Sequence, residues 1–200
     1  MKDLVGVTRE LTPELAETAY RNGCFPMAIP EYGVITWHHP DPRAILPLDG
    51  LHVPRSLQRT LTRKSFEVTF NRDFSGVMRG CAEDRPVWIG KPFFAVYGEL
   101  HRQGKAHSVE VWKDGALAGG LYGVHLGAAF FAESKFHRVT DASKVALVAM
   151  AERLRERGFQ ILEVQYVTPH LKRFGVVEIP DKEYARRLKK ALATECRFEE

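Results

Sequence analysis

Glu133, Glu163 and Gln165 are the residues of this chain whose types and settings fit acid–base or positioning chemistry. Both acids follow apolar runs, Ala128-Ala-Phe-Phe-Ala132 and Ile161-Leu162, at what read as strand ends. Acids in that setting are where a site is sought. Glu163 and Gln165 are two apart, so on a strand both side chains face one side. An acid beside an amide can bind an ammonium group, take a proton or hold an oxyanion. A structural salt bridge is the plain alternative.

Other chemistries lack their spacing. His38-His39 is adjacent, so the two rings point apart on an extended chain. His101, His107, His125, His137 and His170 show no His-x-x-x-His spacing, and no metal is expected. Cys24, Cys81 and Cys196 are odd in number and far apart, with no paired base evident, which points to a reducing cytosol. No Walker sequence or Gly-x-Ser-x-Gly elbow is present. Gly119-Gly120-Leu-Tyr-Gly123 lies within a strand pattern, where glycines mark a bulge or close backbone approach.

The elements that must position these residues follow from turn signals and periodicity. Asp114-Gly115 between two apolar-rich runs is a hairpin signal, and Gly127 marks a second turn. The meander therefore presents Phe130 to Glu133 as a third strand. Thr140-Asp141 caps a helix from Ala142 to about Arg157, and Ile161 to Val167 is the next strand. Three strands, a helix and a strand make an α+β core. That order suggests an acyl-CoA-dependent acetyltransferase, but the turn Ser134 to Lys144 has no glycine to hold a pyrophosphate, so CoA is not expected.

Upstream, Thr12-Pro13-Glu14 opens a helix that stops near Asn22-Gly23. Phe25 to Pro30 reads as an extended loop, and Ala44 to Leu48 as a short strand. Residues 1–51 thus form a small subdomain packed on residues 52–200. A helix from Val53-Pro54-Arg55 places Arg55, Arg59 and Arg63 at i, i+4 and i+8, with Lys64 beside them. Such a row is a solvated basic face or a contact for a run of phosphates. A strand at Phe66–Phe70, helices at 73–82 and 94–104, a strand at 176–179 and a helix at 181–193 complete the chain.

The net charge of +4 is modest, so clustering matters more than the total. No apolar run approaches the roughly 18–20 residues of a membrane span, and the first residues lack a signal peptide's apolar core. A soluble, cytoplasmic protein is the expectation.

Several blocks in order resemble the bacterial leucyl/phenylalanyl-tRNA–protein transferases. They include Ala19-Tyr-Arg-Asn-Gly-Cys-Phe-Pro26, Pro40-Asp-Pro-Arg43, His52-Val-Pro-Arg-Ser56, Ala106-His-Ser-Val-Glu-Val-Trp112, Glu133-Ser134 and Ala142-Ser-Lys144. The resemblance implies an acetyltransferase-like core behind a small N-terminal subdomain. It implies transfer of Leu, Phe or Met from aminoacyl-tRNA to the N-terminal amine of proteins beginning with Arg or Lys, which marks them for degradation. No cofactor is implied, since the donor is an ester on RNA.

Residue by residue, the resemblance assigns Glu163, Gln165 and Glu133 to the catalytic site; Glu163 stands where the family usually has Asp, and Ala132 where it has Gly. Leu121, Phe130, Met150, Leu154 and Leu162 fall where the family lines a pocket for the donor side chain. Trp88 matches a tryptophan near the terminal adenosine, and His38 stands in place of the second residue of a Trp-Trp pair. The Arg55/Arg59/Arg63 face with Lys64 is the expected contact with the tRNA backbone. Two other readings are a noncatalytic tRNA-binding relative and a transferase acting on a muropeptide amine; the latter enzymes usually hold two copies of the core.

Overall fold

The computed structural model describes residues 3–83 and 89–199. In order the elements are β1 (Leu4–Thr8), α1 (Pro13–Arg21), β2 (Phe25–Ile29), β3 (Val34–His38), β4 (Arg43–Ile45), α2 (Arg55–Thr62), β5 (Glu67–Phe70) and α3 (Phe74–Glu83). Then follow α4 (Lys91–Arg102), β6 (Ala106–Lys113), β7 (Ala116–Leu126), β8 (Ala129–His137), α5 (Ala142–Glu156), β9 (Ile161–Glu163), α6 (Pro169–Lys172), β10 (Val177–Ile179) and α7 (Asp181–Leu192).

The expected meander is β6-β7-β8. Asp114 and Gly115 both have positive φ, 51° and 76°, as a two-residue type I′ turn requires. Helix α5 then crosses over to β9, which pairs parallel with β8. The seven-stranded sheet runs β10-β4-β9-β8-β7-β6-β5, and its other neighbours are antiparallel. The α+β class read from the sequence is the observed one.

Two adjacent glycines explain how helices reach both faces of β7. A Cβ at Gly119 would lie 2.7 Å from the Ala142 Cβ of α5, and one at Gly120 2.8 Å from the Val77 Cγ2 of α3. Successive strand residues face opposite sides, so α5 and α3 pack on opposite faces and any side chain here would push one away. The core divides accordingly. Val77, Met78, Phe93 and Tyr97 join Tyr20, Phe25 and Trp37 from the first forty residues on one side. Val145, Leu147, Met150, Phe130, Leu162 and Phe174 fill the other.

Four details differ from the sequence reading. Phe25–Ile29 is a strand rather than a loop: it forms an edge of the sheet β1-β3-β2, where Pro26 costs no ladder bond on the open side. The strand at Arg43–Ile45 belongs to the larger sheet, between β10 and β9, and not to the sheet of the N-terminal segment. Asp141 sits at the N-cap of α5 with φ 72°, but its carboxylate turns outward to Thr60 Oγ1 (3.1 Å) and Lys144 Nζ (2.7 Å) instead of capping. Strand β9 stops at Glu163, and Gln165 has φ 65°, so the two side chains do not share a strand face.

Candidate active site

The site forms where β8 and β9 part. Their pairing ends at Phe131 opposite Glu163, while β8 runs on to His137. Between them opens a cavity of about 400 Å³, with Ala132, Glu133, Ser134 and Lys135 on one wall and Val164, Gln165 and Tyr166 on the other. Such a divergence of parallel strands is where α/β sheets collect ligands. Glu133 is not at the end of its strand. Tyr122 pairs with Ser134 and Gly123 with Ala132, so Glu133 is the extra residue of a β-bulge. Bulges re-aim a side chain out of the strand's alternation.

The Glu133 carboxyl is buried and accepts a hydrogen bond from Tyr97 Oη at 3.0 Å. Tyr20 Oη lies 2.6 Å from Tyr97 Oη. With the Tyr97 proton directed at the acid, Tyr20 is the donor in that second bond. Burial pushes the Glu133 carboxyl up to about 8, opposed by the two phenols, helped by the charge of Glu163 and opposed again by the Gln165 amide. Burial and the neighbouring acid hold both phenols well above their ordinary range, so they remain donors. Glu133 Oε1 and Ser134 Oγ have no hydrogen-bond partner among the described residues. An acid that titrates near neutrality, with one oxygen unengaged beside a cavity, is suited to exchange a proton with a bound group.

Glu163 is placed differently. It and Arg43 are each 1% exposed, and Arg43 Nη2 donates to Glu163 Oε1 at 3.3 Å. The same oxygen accepts from the Gln165 backbone N–H at 2.8 Å. Burial pushes this carboxyl up, and Arg43 and the Gln165 N–H pull it back. The guanidinium is itself held by the Gly23 carbonyl and lies 4.3 Å from the Tyr184 ring centre. The buried ion pair explains why β9 ends where it does: Glu163 turns inward to Arg43, and Gln165 folds back onto it in the left-handed region. Glu163 thus fixes the backbone that carries Gln165 into the cavity, while Gln165 and Glu133 line the cavity itself.

Of the five apolar residues assigned to a donor pocket, Leu121 alone lines the cavity, beside Leu147 and Leu171. Phe130, Met150, Leu154 and Leu162 are fully buried in the core behind it. His38 is half-buried and packs on Phe25 at 5.8 Å, and Phe25 meets Tyr166 of the cavity wall edge-on at 5.8 Å. Burial lowers the His38 pKa, opposed by the charge of Asp3. Trp88 lies outside the described residues. Arg55, Arg59 and Arg63 line one shallow groove along α2, all exposed, as is Lys64; the helix contains no acid. Among the described residues no cluster of three His, Cys, Asp or Glu could hold a metal, and no helix is long and apolar enough to cross a membrane.

Comparison with known proteins sets this geometry in a family. The profile described as leucyl/phenylalanyl-tRNA protein transferase matches residues 45–189, and that of the same proteins' N-terminal domain matches residues 9–41. The chain belongs to the leucyl/phenylalanyl-tRNA protein transferase family. Proteins named leucyl/phenylalanyl-tRNA–protein transferase are similar to it along nearly its whole length. The one from Akkermansia muciniphila is 53% identical over 186 residues, covering 91% of this chain and 96% of the relative. That from Salinibacter ruber is 51% identical over 183 residues, covering 92% and 81%. That from Herpetosiphon aurantiacus is 50% identical over 193 residues, covering 96% and 100%. Among solved structures, a GCN5-related N-acetyltransferase from Kribbella flavida is 13% identical with a TM-score of 0.47, covering 83% of this chain and 60% of that one.

Sequence reasoning on this family member misses three residues of the site: Tyr20, Tyr97 and Arg43. In the sequence the tyrosines read as parts of helices, Tyr97 on an apolar stripe. Arg43 carries a usable signal, a lone arginine entering the apolar run Ala44-Ile45-Leu46, where burial demands an acidic partner.

Proposed function

We propose that this transferase moves Leu, Phe or Met from its ester on tRNA to the N-terminal α-amine of proteins beginning with Arg or Lys, marking them for degradation in the cytoplasm. The cavity that joins Glu133 and Gln165 is the observation that carries this reading: a proton acceptor and an amide donor face one space. No CoA or other cofactor enters the scheme. A neutral α-amine attacks the ester carbonyl directly; its ordinary pKa near 8 keeps a useful fraction unprotonated. The C–N bond forms, the C–O bond to the terminal ribose breaks, and the amine's proton must leave.

The ionised fraction of Glu133 takes that proton and hands it to the departing ribose oxygen, which leaves as a hydroxyl, while Tyr97 and Tyr20 hold the carboxylate. The Gln165 amide donates to the developing oxyanion. Glu163, paired with Arg43, serves as a positioning residue for Gln165. The donor side chain lies against Leu121, with Phe130, Met150, Leu154 and Leu162 shaping the wall from behind. Apolar fit of that kind discriminates by about 1–3 kcal/mol per methylene. His38 and Trp88 stack near the terminal adenosine, and the α2 arginines with Lys64 meet phosphates. Contacts run from α2 toward the cavity: Thr60 of α2 donates to Asp141, and Asp141 holds Lys144.

The deciding experiment is transfer of labelled Leu and Phe from charged tRNA to a peptide beginning with Arg, beside one beginning with Ala. Label on the Arg peptide alone is the expected result. Label on both would overturn the acceptor rule, and tRNA binding without label would overturn the enzymatic reading.

A further inference from the structure

A second nucleophile–base pair lies away from this cavity. Cys24 Sγ is 3.6 Å from His39 Nδ1, and His39 Nε2 is 2.8 Å from Asp181 Oδ1. An ionised carboxylate only accepts, so Nε2 carries the ring proton and Nδ1 offers its lone pair to the thiol. Thiol, imidazole and orienting acid are the parts of an activated cysteine. Spacing along the chain does not reveal this triad, because the acid that orients His39 lies 142 positions beyond it.

His39 and Asp181, with Gly23, Tyr184 and Lys189, also line a cavity of about 530 Å³ between the end of α1 and α7. Half-buried Cys24 follows Gly23 in the chain but is not itself among the residues that line the cavity. Burial pushes the thiol up, Arg43 pulls it down and Asp181 pushes it up; with the shift upward, reactivity at this cysteine has to come from the geometry, by proton transfer to His39 as the bond to sulfur forms. Cys24 Sγ also donates to the Asn22 carbonyl at 3.7 Å, a bond it gives up when its proton passes to His39. Cys81 is buried in the core, and Cys196 donates to the Arg157 carbonyl.

We propose that Cys24 is a covalent modification site for carbon electrophiles of the α,β-unsaturated carbonyl class, with His39 as its base, and that the adduct slows the transfer reaction. In the addition, the S–C bond forms as the alkene π pair moves toward the carbonyl. The thiol proton passes to His39 Nδ1 and then to the α-carbon, so no outside oxidant or reductant takes part. The link to the active site is short. Gly23, adjoining Cys24, has φ 71°, and its carbonyl accepts from the Arg43 that pairs with Glu163. A group attached at Cys24 displaces that carbonyl and loosens Arg43. The modification stands independently of the proposed function; only its effect on transfer rests on that reading.

N-ethylmaleimide at limiting concentration, followed by peptide mapping, is the test. Cys24 is expected to label first, about tenfold or more faster than the same cysteine in a free peptide of residues 20–28, as base assistance provides. His39→Gln and, separately, Asp181→Asn should remove that excess with unchanged melting temperatures; whichever variant folds suffices. Labelling of Cys196 first, Cys24 reacting no faster than the peptide, or an unchanged rate in the folded variant would each overturn the site. In the second arm, labelling should slow transfer in the wild type and not in Cys24→Ser. Equal slowing in both, or none in either, overturns the coupling to the active site while leaving the labelling result standing.

Discussion

Two buried polar clusters lie on different strands of the seven-stranded sheet and are finished to different degrees. At one, His107 on β6 is bonded on both ring nitrogens, to Asn71 at 3.0 Å and to His125 at 2.9 Å, and packs on the Phe198 ring at 4.1 Å. Nearby, fully buried Glu110 accepts from Ser108, from Thr69 at 2.7 Å and from the Arg72 N–H at 3.2 Å. At the other, Tyr20, Tyr97, Arg43 and Gln165 surround Glu133 and Glu163, yet Glu133 Oε1 and Ser134 Oγ have no partner among the described residues. A buried polar group without a partner costs stability and calls for an explanation. The histidine cluster is complete because it fastens the C-terminal segment. The carboxylate cluster is incomplete at Glu133 Oε1, Ser134 Oγ and Arg43 Nε, and two of these three residues, Glu133 and Ser134, belong to the cavity wall, where a bound substrate would supply the missing bonds.

Arg43→Met tests the carboxylate side hardest, since it strands Glu163 as a buried acid without its cation. A loss of about 3–5 kcal/mol in urea unfolding is expected, as when one partner of a buried pair is removed. A loss below 1 kcal/mol would mean that solvent or another group supports Glu163, and its positioning role would go. Glu133→Gln is next. It keeps shape but removes the proton acceptor, and transfer should drop about 10²–10³-fold with the fold intact. His107→Gln is the contrast: it should cost about 1–3 kcal/mol of stability and leave transfer unchanged. If the two variants exchanged their effects, the assignment of one cluster to chemistry and the other to structure would be reversed.

The clusters also pull stability in opposite directions with pH. Glu133 rises from its ordinary 4.5 to about 8, so the folded state holds a proton that the unfolded chain releases. Its contribution is whole below pH 4.5 and is lost as pH climbs to about 8. His107 falls from 6.5 to about 3, so the folded state excludes a proton that the unfolded chain takes up. That contribution is whole above pH 6.5 and is lost as pH drops toward 3. Between 4.5 and 6.5 the two slopes oppose each other, giving a plateau. On either side stability should fall by about 1.4 kcal/mol per pH unit, roughly 2 kcal/mol over each limb. Unfolding followed across pH checks this: Glu133→Gln should flatten the alkaline limb and turn the plateau into a rise up to pH 6.5, and His107→Gln should flatten the acid limb and turn the plateau into a fall from pH 4.5.

The meander is legible in the sequence because its signal is local: alternating strands, an Asp-Gly turn, and an apolar-striped helix that follows. Glu133 and Gln165 are legible as polar residues beside apolar runs. What supports them is not, since Tyr20 meets Tyr97 across 77 positions and Arg43 meets Glu163 across 120. The bulge at Glu133 depends on where β7 pairs, which periodicity along one strand does not encode. The same holds for Gln165, whose turn off β9 follows from an ion pair with a distant residue. Strand β2 is hidden by Pro26, which is tolerated because the strand is an edge. The donor pocket falls short for a related reason: an apolar residue near a site reads alike whether it lines the cavity or stands behind its wall.

Arg59→Ala makes the smallest change and sharpens the comparison from outside both clusters. Arg59 is exposed on an acid-free helix, in a groove with Arg55 and Arg63, so its removal should leave folding stability within about 0.5 kcal/mol. If the carboxylate cluster receives the ester of a tRNA whose phosphates lie along α2, affinity for charged tRNA should weaken and depend less on salt. Removing one arginine–phosphate pair lowers the slope of log affinity against log salt by about 0.7–0.9. The rate of transfer at saturating tRNA should stay near normal, because Arg59 touches neither Glu133 nor Gln165. His107→Gln should leave the slope unchanged, since its cluster faces the C-terminal segment and not the groove. An unaltered slope in Arg59→Ala would remove the phosphate role from α2 and leave its arginines as a solvated face, with the cavity alone to hold the donor.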